Sequence, residues 1–132
     1  MDPEAGRFRL DDFELYQTAR EFRKRIYGLI KQLPTEERYC LAPQLRRAAL
    51  SITNNIAEGH GRWYYQDNTR FCLIARGSID ETVDDLNVCL DENYTISTSV
   101  ESLKAQAYEL IKRINSYIAY LRRTKQGQEL RE

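Results

Sequence analysis

Four stretches of the chain carry apolar residues at alternating spacings of three and four, and none shows the strict period of two that a strand requires. Leu15, Ala19, Phe22, Ile26, Leu29 and Leu33 form the first stripe. The second runs through Leu41, Leu45, Ala48, Ala49, Ile52 and Ile56, and the third through Phe71, Ala75, Ser78, Ile79, Leu86 and Leu90. Val100, Leu103, Ala107, Leu110, Ile114, Tyr117 and Leu121 complete the set. Each stripe gives a helix one face to bury, and connections this short turn consecutive helices antiparallel. The pattern therefore predicts an all-α fold, an antiparallel up-down-up-down four-helix bundle over residues 11–124, between tails at 1–10 and 125–132.

Local signals set the expected helix ends. Asp11 and Glu14 form a capping-box pattern, Leu10 and Leu15 a hydrophobic staple, and Pro34 a stop, which predicts a first helix over 12–33. Thr35 is placed to cap a short turn over Glu36 and Glu37. Pro43 fits a first turn best, so the main second helix is expected over 43–58, closing at Gly59 and Gly61. Asp67 or Asn68 caps the third helix, which fades near Asn93, and Thr98 with Glu101 opens the fourth.

Composition narrows the class. The 132 residues are 42% hydrophobic and 30% charged with three prolines, which fits one ordinary globular core and excludes a disordered or collagen-like chain. Twenty basic residues balance twenty acidic ones, so nucleic-acid or membrane-surface binding would need a local patch. Cys40, Cys72 and Cys89 are an odd number with no ligand spacing, which excludes a complete disulfide framework and suits a reducing cytoplasm. Cys72 and Cys89 fall on one helix, roughly 25 Å apart at about 1.5 Å per residue, too far to bridge. We expect buried apolar roles for the cysteines. No apolar leader segment opens the sequence, and no stretch approaches the ~20 apolar residues of a membrane span.

Catalytic motifs do not emerge. The inward Glu and Glu-x-x-His sets of di-iron bundles are missing, His60 is the single histidine, and neither GxSxG nor a P-loop occurs. The expectation is a non-enzyme with no catalytic residue, metal or cofactor.

Polar residues nonetheless recur within the apolar stripes. Ser51, Asn55 and Glu58 fall at i, i+4 and i+7, and Ser78, Glu81 and Asp85 at i, i+3 and i+7, so two polar rows could face each other with Arg62 or Arg76 as countercharge. Two readings stay open: a network fixing helix register or a subunit contact, and a ligand pocket. Charge is also segregated. Residues 20–31 hold five basic residues (Arg20, Arg23, Lys24, Arg25, Lys31) against Glu21, residues 38–47 hold three basic and no acidic, and residues 80–92 hold six acidic and no basic. A solvated surface, complementary subunit faces and a phosphate-binding face all fit. The run Arg62-Trp63-Tyr64-Tyr65 can stack on unpaired bases or pack as an end cap of the bundle.

The stretch from Gln44 through Arg46, Arg47, Ser51, Asn55, Glu58, Gly59 and Gly61 to Arg62, followed by Ala75-Arg76-Gly77-Ser78-Ile79-Asp80-Glu81, resembles a known family. It is similar to the bacterial four-helix-bundle proteins encoded within intervening sequences of 23S ribosomal RNA genes, over about Phe13 to Leu121. The resemblance implies an antiparallel bundle assembled as a homopentamer, with no known catalytic activity. It also implies kinship of fold with the accessory variability determinant proteins of diversity-generating retroelements, which partner a reverse transcriptase and bind nucleic acid through a basic surface. The motif positions carried over are Asn55, Glu58, Gly59, Gly61, Arg62, Gly77, Ser78 and Glu81. Gly59 and Gly61 would permit positive φ at a helix end, and Gly77 would let another helix approach. Ala42-Pro43 departs from the family's plainer helix start. Two functions follow as expectations: RNA or DNA binding by an oligomer through Arg23, Lys24, Arg46, Arg47 and Arg62, and a protein-interaction scaffold using the acidic run, with a reverse transcriptase as one candidate partner.

Overall fold

The computed structural model describes residues 9–95 and 97–125. Of the expected tails at 1–10 and 125–132, residues 1–8 and 126–132 lie outside the described residues. Four helices follow in chain order: α1 (Glu14–Ile30), α2 (Leu41–His60), α3 (Tyr65–Asp91) and α4 (Ser97–Thr124), with short 3-10 turns at Leu10–Asp12 and Thr35–Glu37. Each packs against its chain neighbours and α1 meets α4, most extensively at α2 against α3 and least at α1 against α4. This is the all-α four-helix bundle that the periodicity predicts.

The apolar stripes meet along the axis. Phe22, Ile26, Leu45, Ile52, Ile56, Ile79, Leu86, Leu110 and Ile114 are fully enclosed. Burying each such side chain contributes about 1.5–3 kcal/mol, and these residues supply most of the drive for folding. On α3 the stripe differs from expectation. Cys72, Val83 and Cys89 enter the core while Phe71, Ser78 and Leu90 stay half-buried. Cys72 and Cys89 thus act as small apolar fillers, whereas Cys40, expected to be buried, is exposed ahead of α2.

Several expected caps are corrected. Phe13, rather than Asp11, precedes α1, and no side chain caps that end. Thr35 caps nothing; Glu37 Oε1 instead accepts the Leu41 amide at 3.2 Å and satisfies an open N–H of α2. Pro43 lies in the first turn of α2, as its missing donor requires, but the helix opens two residues earlier at Leu41. Helix α3 starts at Tyr65 behind Tyr64, so neither Asp67 nor Asn68 is a cap. Asp67 remains in the first turn, where its charge complements the helix dipole, and Asn68 turns inward. Thr98 lies inside α4, which begins at Ser97. The end of α3 agrees with expectation. Asn93 takes φ 56°, the Tyr94 amide donates to Cys89 O at 3.0 Å and the Asn93 amide to Leu90 O at 3.2 Å, a Schellman closure with asparagine in the left-handed position.

One end of the bundle is organised around Gly59. Helix α2 runs through it to His60, and Gly61 sits at φ −77°, so neither glycine serves as a left-handed stop. A Cβ on Gly59 would stand 2.7 Å from Asn68 Oδ1 and 3.1 Å from both Asn68 O and Phe71 Cβ. The missing side chain lets α2 touch the start of α3. Asn68 Nδ2 donates to the Tyr117 hydroxyl of α4 at 3.0 Å, and Tyr117 packs on Phe13, whose ring stacks on His60 at 5.2 Å. At the opposite end Glu37 Oε2 accepts the Tyr94 hydroxyl at 2.6 Å, tying the α1–α2 connection to the α3–α4 one.

Gly59→Ala is expected to lower stability by about 1–2 kcal/mol, because overpacking against a pinned Asn68 outweighs alanine's better helix propensity. Gly28→Ala is its control. A Cβ at Gly28 meets nothing within 4 Å, so that variant should melt no lower than the parent in thermal circular dichroism.

Candidate nucleic-acid interface

The five candidate cations do not share one face. Arg46 and Arg47 are neighbours on α2, so about 100° of helix rotation separates them and sends them to different seams. Arg46 reaches toward α1, its guanidinium 4.4 Å from the centroid of the Tyr27 ring. On the same seam Arg23 Nη1 donates to the buried Thr53 Oγ1 at 2.9 Å, while Lys24, 62% exposed, sits 3.5 Å from Glu21. Arg25 turns the other way and donates to Ser102 and Gln106 of α4. Arg23 and Arg46 therefore belong to the α1–α2 side, and Arg20, Lys24 and Lys31 are exposed along α1 and at its end.

Arg47 and Arg62 lie elsewhere. Arg47 acts electrostatically on Asp85 of α3. Arg62 follows the end of α2, pairs with Glu58 Oε1 and lies 5.0 Å from the Phe71 ring centroid. Of the two countercharges expected for the polar rows, Arg62 serves in part, whereas Arg76 bonds Asn115 Oδ1 of α4 at 2.7 Å. Trp63, Tyr64 and Tyr65 are each half-buried at the α2–α3 turn.

The two polar rows do meet along α2 and α3. The Ser51 and Ser78 hydroxyls are 2.7 Å apart, and Asn55 Nδ2 donates to Ser51 O at 2.8 Å and to Ser51 Oγ at 3.0 Å. These short bonds between small side chains set the register of the seam and leave no room for a ligand between the serines. Asp85 closes the row in a harsher setting. It is 4% exposed and its Oδ2 has no hydrogen-bond partner; burial, then the charges of Glu81 and Asp84, push its carboxyl up to about 6 against the partial relief of Arg47. Burial also pushes the Cys72 thiol up to about 12 and the Cys89 thiol to about 11, which removes the thiolate a nucleophile needs. Among the described residues no three His, Cys, Asp or Glu side chains converge as a metal site. No described helix is long and apolar enough to cross a membrane.

Gly77 departs from its expected role. Among the described residues nothing lies within 4 Å of where its Cβ would be, so no described helix approaches it closely. Its α3 neighbours Leu73 and Ile74 are 37% and 46% exposed. Two features escaped the sequence reading. The Arg46–Tyr27 contact pairs residues of different helices, which a single stripe cannot reveal, and Tyr39 stands 86% exposed on a connection too short to carry a periodic signal.

Residues 11–116 match the model of the 23S rRNA-intervening sequence protein family. The chain belongs to this family. Among solved structures, this family member is similar to a protein of unknown function from the S23 ribosomal protein family of Bacteroides thetaiotaomicron. The two share 27% identity and a TM-score of 0.73 over 79% of this chain and 97% of that one. No curated protein matches the chain. Within the family match lie all eight carried-over motif positions. Gly59 and Ser78 have roles inside the chain, in the α2–α3 approach and the serine contact, while Gly77 meets no close neighbour among the described residues.

Asp85 gives a pH signature. Its folded carboxyl titrates at about 6 against an ordinary 3.8, so between these values the folded state holds a proton that the unfolded state lacks. Stability should therefore fall as pH rises through that window. Asp85→Asn is expected to flatten this slope and to raise stability at pH 7 by on the order of 1 kcal/mol in urea titrations.

Proposed function

We propose that this member of the 23S rRNA-intervening sequence protein family is a non-enzymatic, self-assembling bundle that binds RNA through phosphate contacts along its α1–α2 side. The observation that carries the reading is the segregation of charge: residues 20–31 hold five cations against one acid, of which only Arg25 turns to α4, and Arg46 lies against α1 from across the seam. The acidic run of residues 80–92 is confined to α3 and the turn after it. With a screening length of about 10 Å, a polyanion on one side feels the cations and little of the acids. The family's link to ribosomal RNA favours RNA over DNA. Arg46 over the Tyr27 ring and Arg23 anchored to Thr53 are partly immobilised, so less side-chain entropy is lost when phosphates bind.

Self-assembly draws its support from α3. An apolar pair, Leu73 and Ile74, stands exposed one turn before a glycine whose open surface serves nothing within the chain, and such a surface suits the close approach of a second copy. The homopentamer implied by the family resemblance is the assembly we favour. A second reading, a scaffold for a protein partner such as a reverse transcriptase, rests on the exposed Asp80, Asp84, Asp91 and Glu92.

The division of the candidate cations makes the binding reading testable. Lys24→Glu with Arg46→Glu should weaken binding to structured RNA by about tenfold or more at low salt, regardless of sequence, while Arg47→Glu should change it little. Fluorescence anisotropy at two salt concentrations measures this, and an unchanged affinity in the double variant would sink the proposed face. A pull-down that recovers a stoichiometric protein and no nucleic acid would favour the scaffold. Ile74→Glu is expected to reduce the mass seen by light scattering while leaving the helical signal intact.

A further inference from the structure

The α1–α2 connection presents an aromatic ring that the fold does not use. Tyr39 is 86% exposed, the highest value for a large apolar side chain among the described residues. Its backbone is nevertheless held firmly. Glu37 spans the connection, with one carboxylate oxygen accepting the Tyr94 hydroxyl and the other the Leu41 amide, and the Arg38 and Cys40 amides donate to Thr35 O at 3.0 Å and Glu37 O at 3.1 Å. The connection is thus a rigid mount carrying an exposed ring. The Arg38 guanidinium lies 5.6 Å from the ring centroid, and Lys31 is exposed at the end of α1, on the same end of the bundle. Of the nearby acids, Glu37 is committed to Tyr94 and Leu41, and Glu36 is exposed.

We propose that Tyr39 is a stacking platform for an unpaired base, set at the end of the α1–α2 cationic face, so that the protein selects single-stranded or looped RNA over continuous duplex. The inference rests on the RNA-binding reading and adds the class of RNA to it. Phosphate contacts with Lys24, Lys31 and Arg46 cannot distinguish strands from duplexes by base, whereas a ring can stack only on a base free of its helix. Arg38 adds cation–π character to the stack. Arg38 over the ring, with Lys31 at the same end of the bundle, favours an anionic ligand such as RNA over a second copy of this chain as its occupant, although Glu36 and Glu37 share the connection.

The test is anisotropy on the full chain with an oligoadenylate of about ten nucleotides and an RNA duplex of similar length. Tyr39→Ala should weaken oligoadenylate binding roughly tenfold, leave duplex binding within about twofold, and be rescued by Tyr39→Phe. Equal loss on both RNAs, no loss on either, or a fall in assembly mass without a strand-selective effect overturns the stacking role. Lys24→Glu with Arg46→Glu separates the two claims: if it weakens both RNAs while Tyr39→Ala changes neither, the face stands and the platform fails. Absence of binding by the parent protein overturns both.

Discussion

The contact between Gly59 and Asn68 fixes more of this bundle than any other pair. A hydrophobic stripe attracts one helix to another but leaves them free to slide, because apolar burial has little direction. The missing Cβ at Gly59 admits the Asn68 side chain, and Asn68 in turn holds Tyr117 of α4 by a hydrogen bond. Tyr117 then packs on Phe13 ahead of α1, and Phe13 on His60 of α2. One small residue thereby couples all four helices at one end. Glu37 and Tyr94 perform the complementary task at the other end, where they join two connections rather than two helices. The chain between these ends is set mainly by apolar packing.

The α2–α3 seam shows how a polar row can specify register without forming a site. Ser51, Ser78 and Asn55 satisfy one another at short distances, so the row carries directional information at little desolvation cost. Asp85 is the exception. Its buried, partnerless oxygen opposes folding when charged, and Arg47 offsets this only in part. Arg47 therefore works on the protein's own electrostatics, which explains why a residue adjacent to Arg46 does not extend the basic face.

Much of the fold was legible because helices declare themselves by period: the stripes of α1, α2 and α4 enter the core almost residue for residue. The ends were less legible. Asp11, Thr35, Asp67 and Thr98 all have capping chemistry, yet the helices begin at other residues and none of these side chains caps them. Asn68 illustrates the reason, since its amide is needed beneath Gly59 and is unavailable to cap. On α3 the stripe was misread because Cys72 and Cys89 fill the core where small side chains are required, while Phe71 supports Arg62. The candidate interface was half legible. Charge runs mark where cations concentrate along the chain but not which seam each one faces.

Under the proposed function, a chain of zero net charge binds a polyanion, and zero net charge is no obstacle to that. Binding depends on the field a ligand meets, and at physiological salt that field is built from charges within about one screening length. Placing cations on α1 and the near side of α2, and acids on α3, separates the two signs across the width of a bundle whose helices are each about 10 Å thick. The neutrality of the sequence then says nothing about the face. The anchoring of Arg23 on Thr53 and of Arg46 on Tyr27 adds a second condition, because a cation held by its own fold keeps its position as counterions leave the polyanion. In the proposed reading, charge segregation by helix and immobilisation by neighbouring side chains are thus what let a balanced composition engage a polyanion.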